Sequence, residues 1–598
     1  MIFGPSLILL LNRTRTLRKE EVAIECNIPV LNEFDSTVIS HHEKIKCKNP
    51  YIRLIKDDFE FIMTADEPFL RMDKLNCCYT PYVQIWKNSS KRVFASYCER
   101  FNKKVKVWHD FVKVQCNYQG HVVYSDYVDF ALSKSKFPPL KKNSNKLNVI
   151  VFVLNGVKFP PLKKNSNKLN VIVFVLNGVS RIAMYRHFPE TKKYLEKLNA
   201  IEFTKFMRID VDDFSNIMAL LTGLHKANYY LCWSDDNSTF FDNCPFVWRT
   251  FSSKQFLTAF VEDAGLSDIF NHNKNGFNVQ PVDYYWRPFN LLLEEIKLDP
   301  QNMEIPKACA GDIPFYTRLF AYLKKCFKRM LKDRQKFFAF VRSVSLSNED
   351  ILLTSVDEDL RDFFVELNHT GVLKTTAMFF LSDRGAEYGN ITNMHQRFFE
   401  TNLPFMFAYL PAHFKNKYVS LYSNFKLNKD KVTTMFDIHE TLNDIATSKF
   451  GNNYGFSNGT SLFRKIRSTR SCKDAGIPLT CCACAQTYIP IEEYTLRFVL
   501  GQVIVNRINE FLHSQTDCAN LNVNKVLDAR YIKYCFQNTH LYQLKVIVST
   551  RPGTGVYEGI LKQIRDKYVV IGTVKRLSPY EKESHCVKNT TLKLYCVC

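Results

Sequence analysis

Short unbroken apolar runs alternate with stretches of helical spacing through the middle of the chain. "LNVIVFVL" (169–176), "FLTAFVED" (256–263), "KFFAFV" (336–341), "TTAMFFL" (375–381) and "PFMFAYL" (404–410) have the continuous character of strands covered on both faces. "IEFTKF" (201–206) reads as a further strand. Between them, "FSNIMALLTG" predicts a helix closed by Gly223, and "DIPFYTRLFAYLKKCFKRMLKD" a long helix with Asp312 as its cap. Glu349–Asn368 predicts another helix. "SRIAMYRHFPETKKYLEKLNA" reads as a turn and then a helix with Pro189 in its first turn. In "FDIHETLNDIA", Asp437 and Glu440 stand at capping-box spacing before a helix. Strand–helix alternation over roughly 300 residues implies an α/β fold built on a doubly wound, mostly parallel sheet. Such sheets bind ligands beyond the carboxyl ends of their strands, where Asn177, Asp213 and Asp383 fall.

One segment is written twice. "KFPPLKKNSNKLNVIVFVLNGV" occupies Lys136–Val157 and again Lys158–Val179, letter for letter. Two identical copies differ from a repeat architecture, which shows many diverged copies. Only the second runs on into a helix, so it should supply the central strand and the first should be an insertion. The expected organisation is an unstructured or signal-like start (1–22), a cysteine-containing N-terminal region (23–135), the α/β core (136–450, with 136–157 duplicated) and a cysteine-rich α+β region (451–598). That last region carries an amphipathic helix at Tyr494–Leu512 and strand-like "LKVIVST" and "KYVVIGTV". The intervening "RPGTG" lacks the Gly-Lys-Ser/Thr ending of a phosphate loop and reads as a turn.

The formal charge of +22 favours acidic partners, such as anionic glycans or other anionic cell-surface molecules. The basic residues are spread along the chain without a nucleic-acid-binding motif, so nucleic acid is not expected. Most of the nineteen cysteines lie towards the two ends, which suggests disulfide-stapled flanks around a core that packs without them. "TCCACAQ" lacks a second Cys/His pair at zinc-finger spacing. Sequons at Asn12, Asn88, Asn237, Asn368, Asn390, Asn458 and Asn589 agree with an extracellular, glycosylated, secreted chain. The opening "MIFGPSLILLLNRTR" is a faint export signal, and no apolar run is long enough for a transmembrane helix.

Taken in order, "VIVFVLNGVSRIAMYRHFPETKKYL", "FSNIMALLTG", "NGFNVQPVDYYWRPF", "FFLSDRG", "FETNLPFMFAYLP", "TTMFDIHETLNDI", "SCKDAGIPLTCCAC" and "YCVC" resemble an animal domain-of-unknown-function family of the sulfatase and alkaline-phosphatase superfamily. The resemblance covers about Cys26 to Cys598. It implies a sulfatase-like α/β core holding a divalent cation (Ca, Mg, Mn or Zn), with a nucleophile that attacks a phosphorus or sulfur centre. It also implies where this chain departs. The first-strand Asp position reads Asn177, the nucleophile position Asp213, the mid-chain His position Asn348, and "SDHG" reads "SDRG" with Arg384. Asp383 alone is kept.

Asp383 and Asn177 are thus the residues of a degenerate metal site, with no cofactor expected unless the site is active. Arg384 cannot ligate a cation, and pairing with Asp383 or Asp213 would put its charge where the ion would sit. Asp213 and Ser180 are the candidate catalytic groups, though Ser180 also suits a helix cap. Arg181, next to Ser180, either binds an anion or faces solvent, and it stands with Arg384 as a candidate binding residue. His439 suits a structural turn, Glu400 a positioning role, and His395 none; the aromatics of "VDYYWRPF" suit core packing over ligand stacking. Two functions follow: a non-catalytic pseudoenzyme that binds or scaffolds, or a phosphate or sulfate ester hydrolase with a rearranged site.

Overall fold

The computed structural model describes residues 26, 28, 47, 55–57, 60–64, 71–84, 93–95, 97–134, 168–234, 239–264, 268–298, 309–310, 313–345, 350–385, 394–450, 459–478, 480–484, 487–536, 539–564, 567–580, 582–587 and 590–598. Two compact units emerge, Val30–Ala483 and Cys484–Cys598 with Met1–Pro29. The larger unit runs past residue 450, where the change to a cysteine-rich region is expected from sequence.

The larger unit is built on a seven-stranded sheet. Its strands are β1 (Asn170–Leu176), β2 (Ile201–Glu202), β3 (Leu257–Glu262), β4 (Tyr284–Tyr285), β5 (Phe337–Ser343), β6 (Thr376–Ser382) and β7 (Met406–Tyr409). They lie in the order β2-β7-β6-β1-β5-β3-β4. The five strands from β6 to β4 pair in parallel, while β7 runs antiparallel to β6. The strand of the second repeat copy is therefore central; the first copy lies outside the described residues. Of "IEFTKF", Ile201 and Glu202 form a strand of the sheet, Phe206 makes an isolated bridge to Thr433, and Phe203 and Phe206 are buried in the interior.

Period-two alternation sorts the buried strands between two helical layers. The main helices are α1 (Arg181–His187), α2 (Asp213–Thr222), α3 (Phe315–Lys332), α4 (Asp350–His369), α5 (Met435–Thr447) and, in the smaller unit, α6 (Tyr494–Leu512). On one face Phe174 of β1 meets Phe320 of α3 and Phe363 of α4 edge-on, at 6.2 and 6.0 Å. On the other, Phe338 of β5 stacks at 4.5 Å on Phe251 of the helix Val247–Ser253. Covering both faces buries side chains worth about 1.5–3 kcal/mol each, which is why these runs are unbroken. Tyr284, Tyr285 and Trp286 of "VDYYWRPF" are core residues.

Local chemistry moves several helix boundaries. The expected single helix after β1 is two, α1 and Pro189–Lys197. Phe188, held outside the helical region by the following proline (φ −128°, ψ 48°), makes the break. α3 starts behind Pro314 with no side-chain cap, and Asp312 lies outside the described residues. The capping box of α5 is Thr434 with Asp437, so Asp437 and Glu440 stand inside the helix rather than ahead of it.

Antiparallel strands Leu75–Gln84, Phe111–Tyr118 and His121–Asp129 precede the seven-stranded sheet. In the smaller unit, α6 lays Leu500, Ile504, Val505 and Ile508 on an antiparallel sheet through Val546, Val548, Tyr557 and Leu561. "RPGTG" turns into Val556–Ile564, a strand the sequence reading passes over. Among the described residues, eight disulfides join Cys26–Cys484, Cys47–Cys309, Cys77–Cys116, Cys78–Cys98, Cys232–Cys244, Cys472–Cys482, Cys518–Cys596 and Cys586–Cys598. Cys482 and Cys484 of "TCCACAQ" are thus bridged, and the middle of the chain is not free of bridges, as Cys232–Cys244 shows. Among the described residues, no helix is long and apolar enough to cross a membrane.

Candidate functional site

The carboxyl ends of β3, β5, β1 and β6 bring one row of residues into register. Arg342 pairs with Glu262 on one side and Val175 on the other, and Val175 pairs with Leu381. Asn177 and Asp383 stand two residues beyond Val175 and Leu381, so strand parity turns all four polar side chains to one face. The turns after β1 and β6 brace each other. Gly178 N–H donates to Asp383 Oδ1 at 3.0 Å, Val179 N–H to Ser382 Oγ at 2.9 Å, and Ser382 Oγ to the Arg384 carbonyl at 2.7 Å. Gly385 follows because a Cβ there would lie 1.6 Å from the Glu400 carbonyl oxygen.

Asp213 arrives from above, as the first residue of α2. Asp212 caps that helix by accepting from Ser215 N–H at 2.6 Å. Asn216 gathers the approaching loop, accepting from Ile209 N–H at 2.8 Å and donating to the Asp212 carbonyl at 2.8 Å. The helix ends on left-handed Gly223, where His439 of α5 presses so close that a Cβ would stand 2.7 Å from its ring.

At the focus stands the guanidinium of Arg342, 1% exposed. Its Nη2 donates to Asp213 Oδ2 at 2.7 Å, its Nη1 to Glu262 Oε1 at 2.7 Å and its Nε to Asp383 Oδ2 at 3.1 Å. Asn177 Nδ2 adds bonds to Asp383 Oδ2 at 2.9 Å and Asp213 Oδ2 at 3.2 Å. One forked cation therefore engages three carboxylates, as a planar guanidinium can and a lysine cannot. The sequence reading places Arg384 in this role. The structure puts Arg342 at the centre, with Arg384 adding its charge to Asp213 and Asp383 from close by.

The three acids respond differently. Burial pushes the Asp213 carboxyl up, but Arg342, then Arg384, outweigh it and hold it below the usual range. Burial raises Asp383 against the pull of Arg342, with Asp213 adding repulsion. Burial likewise raises Glu262 against Arg342, and Asp268 raises it further. The order follows exposure: the Asp213 side chain is 35% exposed and those of Glu262 and Asp383 are 5% and 0%.

The other sequence candidates lie apart from this cluster's bonds. Ser180 Oγ caps α1 by accepting from Ala183 N–H at 2.9 Å and donates to Glu400 Oε2 at 3.0 Å, so its hydroxyl is engaged. Glu400 also takes Arg186 Nη2 at 2.8 Å, which makes it a brace for α1. Arg181 donates to the Thr204 carbonyl and lies over the Tyr185 ring. Asn348 and the His395 side chain lie outside what is described. Arg342 and Glu262 are the residues that sequence reasoning missed. Their signal is a charged residue at the carboxyl end of an otherwise apolar buried run, in "KFFAFVRS" and "FLTAFVED".

His439 is structural: Nδ1–H donates to the Leu220 carbonyl at 3.1 Å, and burial lowers its pKa to about 4 from 6.5. The fold prefers the neutral ring, so between those values the unfolded chain binds a proton that the folded chain refuses. This contribution to stability is whole above pH 6.5 and is lost as pH falls to about 4, a total of about 3 kcal/mol. Urea unfolding of wild type and His439→Gln at pH 7.5 and 4.5 should show the wild type losing more by nearly that amount. Parallel losses would refute it.

The residues present do not fit a divalent cation. The Oδ2 atoms of Asp213 and Asp383 both receive Arg342 and the Asn177 amide nitrogen, and Glu262 receives Arg342. A cation placed among them would meet a guanidinium and an amide N–H, both repulsive to it.

The family model described as protein of unknown function (DUF229) matches residues 33–527, and the chain belongs to that family. Solved structures that it resembles include the lipoteichoic acid synthase LtaP of Listeria monocytogenes, at 14% identity over 55% of this chain and 78% of that one (TM-score 0.33). A protein of the alkaline phosphatase superfamily from Vibrio parahaemolyticus matches at 9% over 68% and 82% (TM-score 0.34). The PsFucS1 sulfatase of Pseudoalteromonas sp. matches at 13% over 54% and 75% (TM-score 0.33). No curated protein matches the chain.

Proposed function

We propose that this chain is a non-catalytic, extracellular member of its family with a binding or scaffolding role towards anionic glycans or other anionic cell-surface molecules. The observation that carries this reading is the Arg342 guanidinium, bonded to Asp213, Glu262 and Asp383 at the strand ends. A cation-activated nucleophile needs those carboxylates facing a metal, and here they face a permanent side-chain charge. Ser180, the first serine after β1 in the chain, is held by Ala183 and Glu400. The formal charge of +22 supports an anionic partner, and eight disulfides with the sequons support an oxidising compartment.

The test uses purified full-length protein incubated with Ca, Mg, Mn or Zn and then desalted. The expected result is no retained stoichiometric metal, no turnover of aryl phosphate or aryl sulfate esters, and retention on a sulfated glycan that weakens steeply with salt. Ester turnover by the wild-type protein would replace this reading with that of a hydrolase using a rearranged site.

A further inference from the structure

The three carboxylates around Arg342 are not equivalent. Glu262 and Asp383 come from strand ends within the sheet and are buried; Asp213 comes from the solvent side and remains 35% exposed. Its Oδ2 rests on Arg342 Nη2 at 2.7 Å and Asn177 Nδ2 at 3.2 Å. Both donors are themselves buried, at 1% and 3%. Asp213, itself part-exposed, thus fills a seat for one carboxylate oxygen that these two buried donors floor.

We infer that Asp213 is the tethered occupant of a carboxylate-binding seat floored by Arg342 and Asn177, and that the seat takes a small free carboxylate when the Asp213 side chain is withdrawn. The donors favour this ligand class. A guanidinium N–H and an amide N–H at one oxygen recognise an anionic acceptor, and a cation meets only repulsion there. Removing Asp213 takes away one negative charge and leaves Arg342 and Arg384 facing Asp383 and Glu262 alone, so the site repels an incoming anion less than it does in the native chain. The consequence for the native chain is a seat kept shut by its own side chain, so that anionic partners are met at the surrounding surface. The seat exists whether or not the chain hydrolyses esters, so its failure would leave the functional reading standing.

The experiment is a thermal-unfolding titration of full-length wild type, Asp213→Ala and Asp213→Ser with sodium formate and sodium acetate, against sodium chloride at matched ionic strength. Asp213→Ser is included because its hydroxyl preserves an acceptor for Asn177 if the alanine variant folds poorly. Both variants should unfold below the wild type and recover by about 2 °C or more with formate, saturating at high concentration. The wild type, its seat filled, should show no carboxylate-specific rise. A variant that folds only when formate is present counts as the same rescue. Equal effects of chloride and formate, an equal rise in the wild type, or no rise in either variant would overturn the inference.

Discussion

Replacing Arg342 by methionine is expected to cost the larger unit about 3–5 kcal/mol at pH 7.5, the range for removing one partner from a buried ionic cluster. Methionine keeps much of the volume, so the loss isolates the charge. Without the guanidinium, Glu262 and Asp383 stay buried with no cation in hydrogen-bond contact from β5, and both must take protons to remain inside. Their folded-state pKa values, already raised by burial, then rise further. An acid raised in this way binds more protons folded than unfolded, so the variant loses stability as pH rises. The deficit should therefore shrink markedly between pH 7.5 and pH 5. Arg342→Lys should fall between the two, keeping a charge but losing the fork that reaches three acids.

The measurement is urea unfolding followed by tryptophan fluorescence. All five tryptophans (Trp86, Trp108, Trp233, Trp248 and Trp286) lie in the larger unit, so the signal reports on it alone. A loss below about 1 kcal/mol, or one that is the same at both pH values, would mean that Arg342 is a bystander among the acids.

Much of this site is legible from sequence once the strands are placed. The apolar runs at 169–176, 336–341 and 375–381 locate β1, β5 and β6, and the turn residues after β1 and β6 name Asn177 and Asp383. What sequence adjacency suggests wrongly is which arginine matters most. Arg384 follows Asp383 directly and draws the eye; Arg342 is 41 residues upstream and reaches Asp383 only because β5 and β6 flank β1. That neighbour order depends on three-dimensional pairing, and strand parity becomes informative only after it is known. The direction of β7 is hidden for a related reason: a strand buried on both faces has the same continuous apolar character whichever way it runs. Disulfide partners such as Cys47 with Cys309 are equally unreadable, since sixteen bridged cysteines allow far too many connectivities for spacing to choose among them.

The seat is held from behind as well as in front, and this gives the second large effect. Asp437, at the third position of α5, is fully buried. It receives Arg470 Nη1 and Nη2 at 2.8 and 2.9 Å, the Thr434 N–H at 2.8 Å and the Thr460 N–H at 2.6 Å. Arg470 also donates to the Val432 carbonyl at 3.0 Å, so a single guanidinium fastens the start of α5 and the loop leading to it. α5 in turn holds α2 through the His439–Leu220 bond and the contact at Gly223, and α2 carries Asp213. Arg470→Met should therefore cost about 3–5 kcal/mol, by leaving the Asp437 carboxylate buried without its cation. Amide exchange should also speed up across 213–222 at denaturant levels too low for global unfolding, because α2 loses the support that α5 provides. The hairpin 111–129, which shares none of these bonds, should exchange at the wild-type rate. Faster exchange everywhere at once would show a loss of global stability alone, and unchanged exchange in α2 would mean that Asp213 is positioned by the sheet side of the cluster without help from α5.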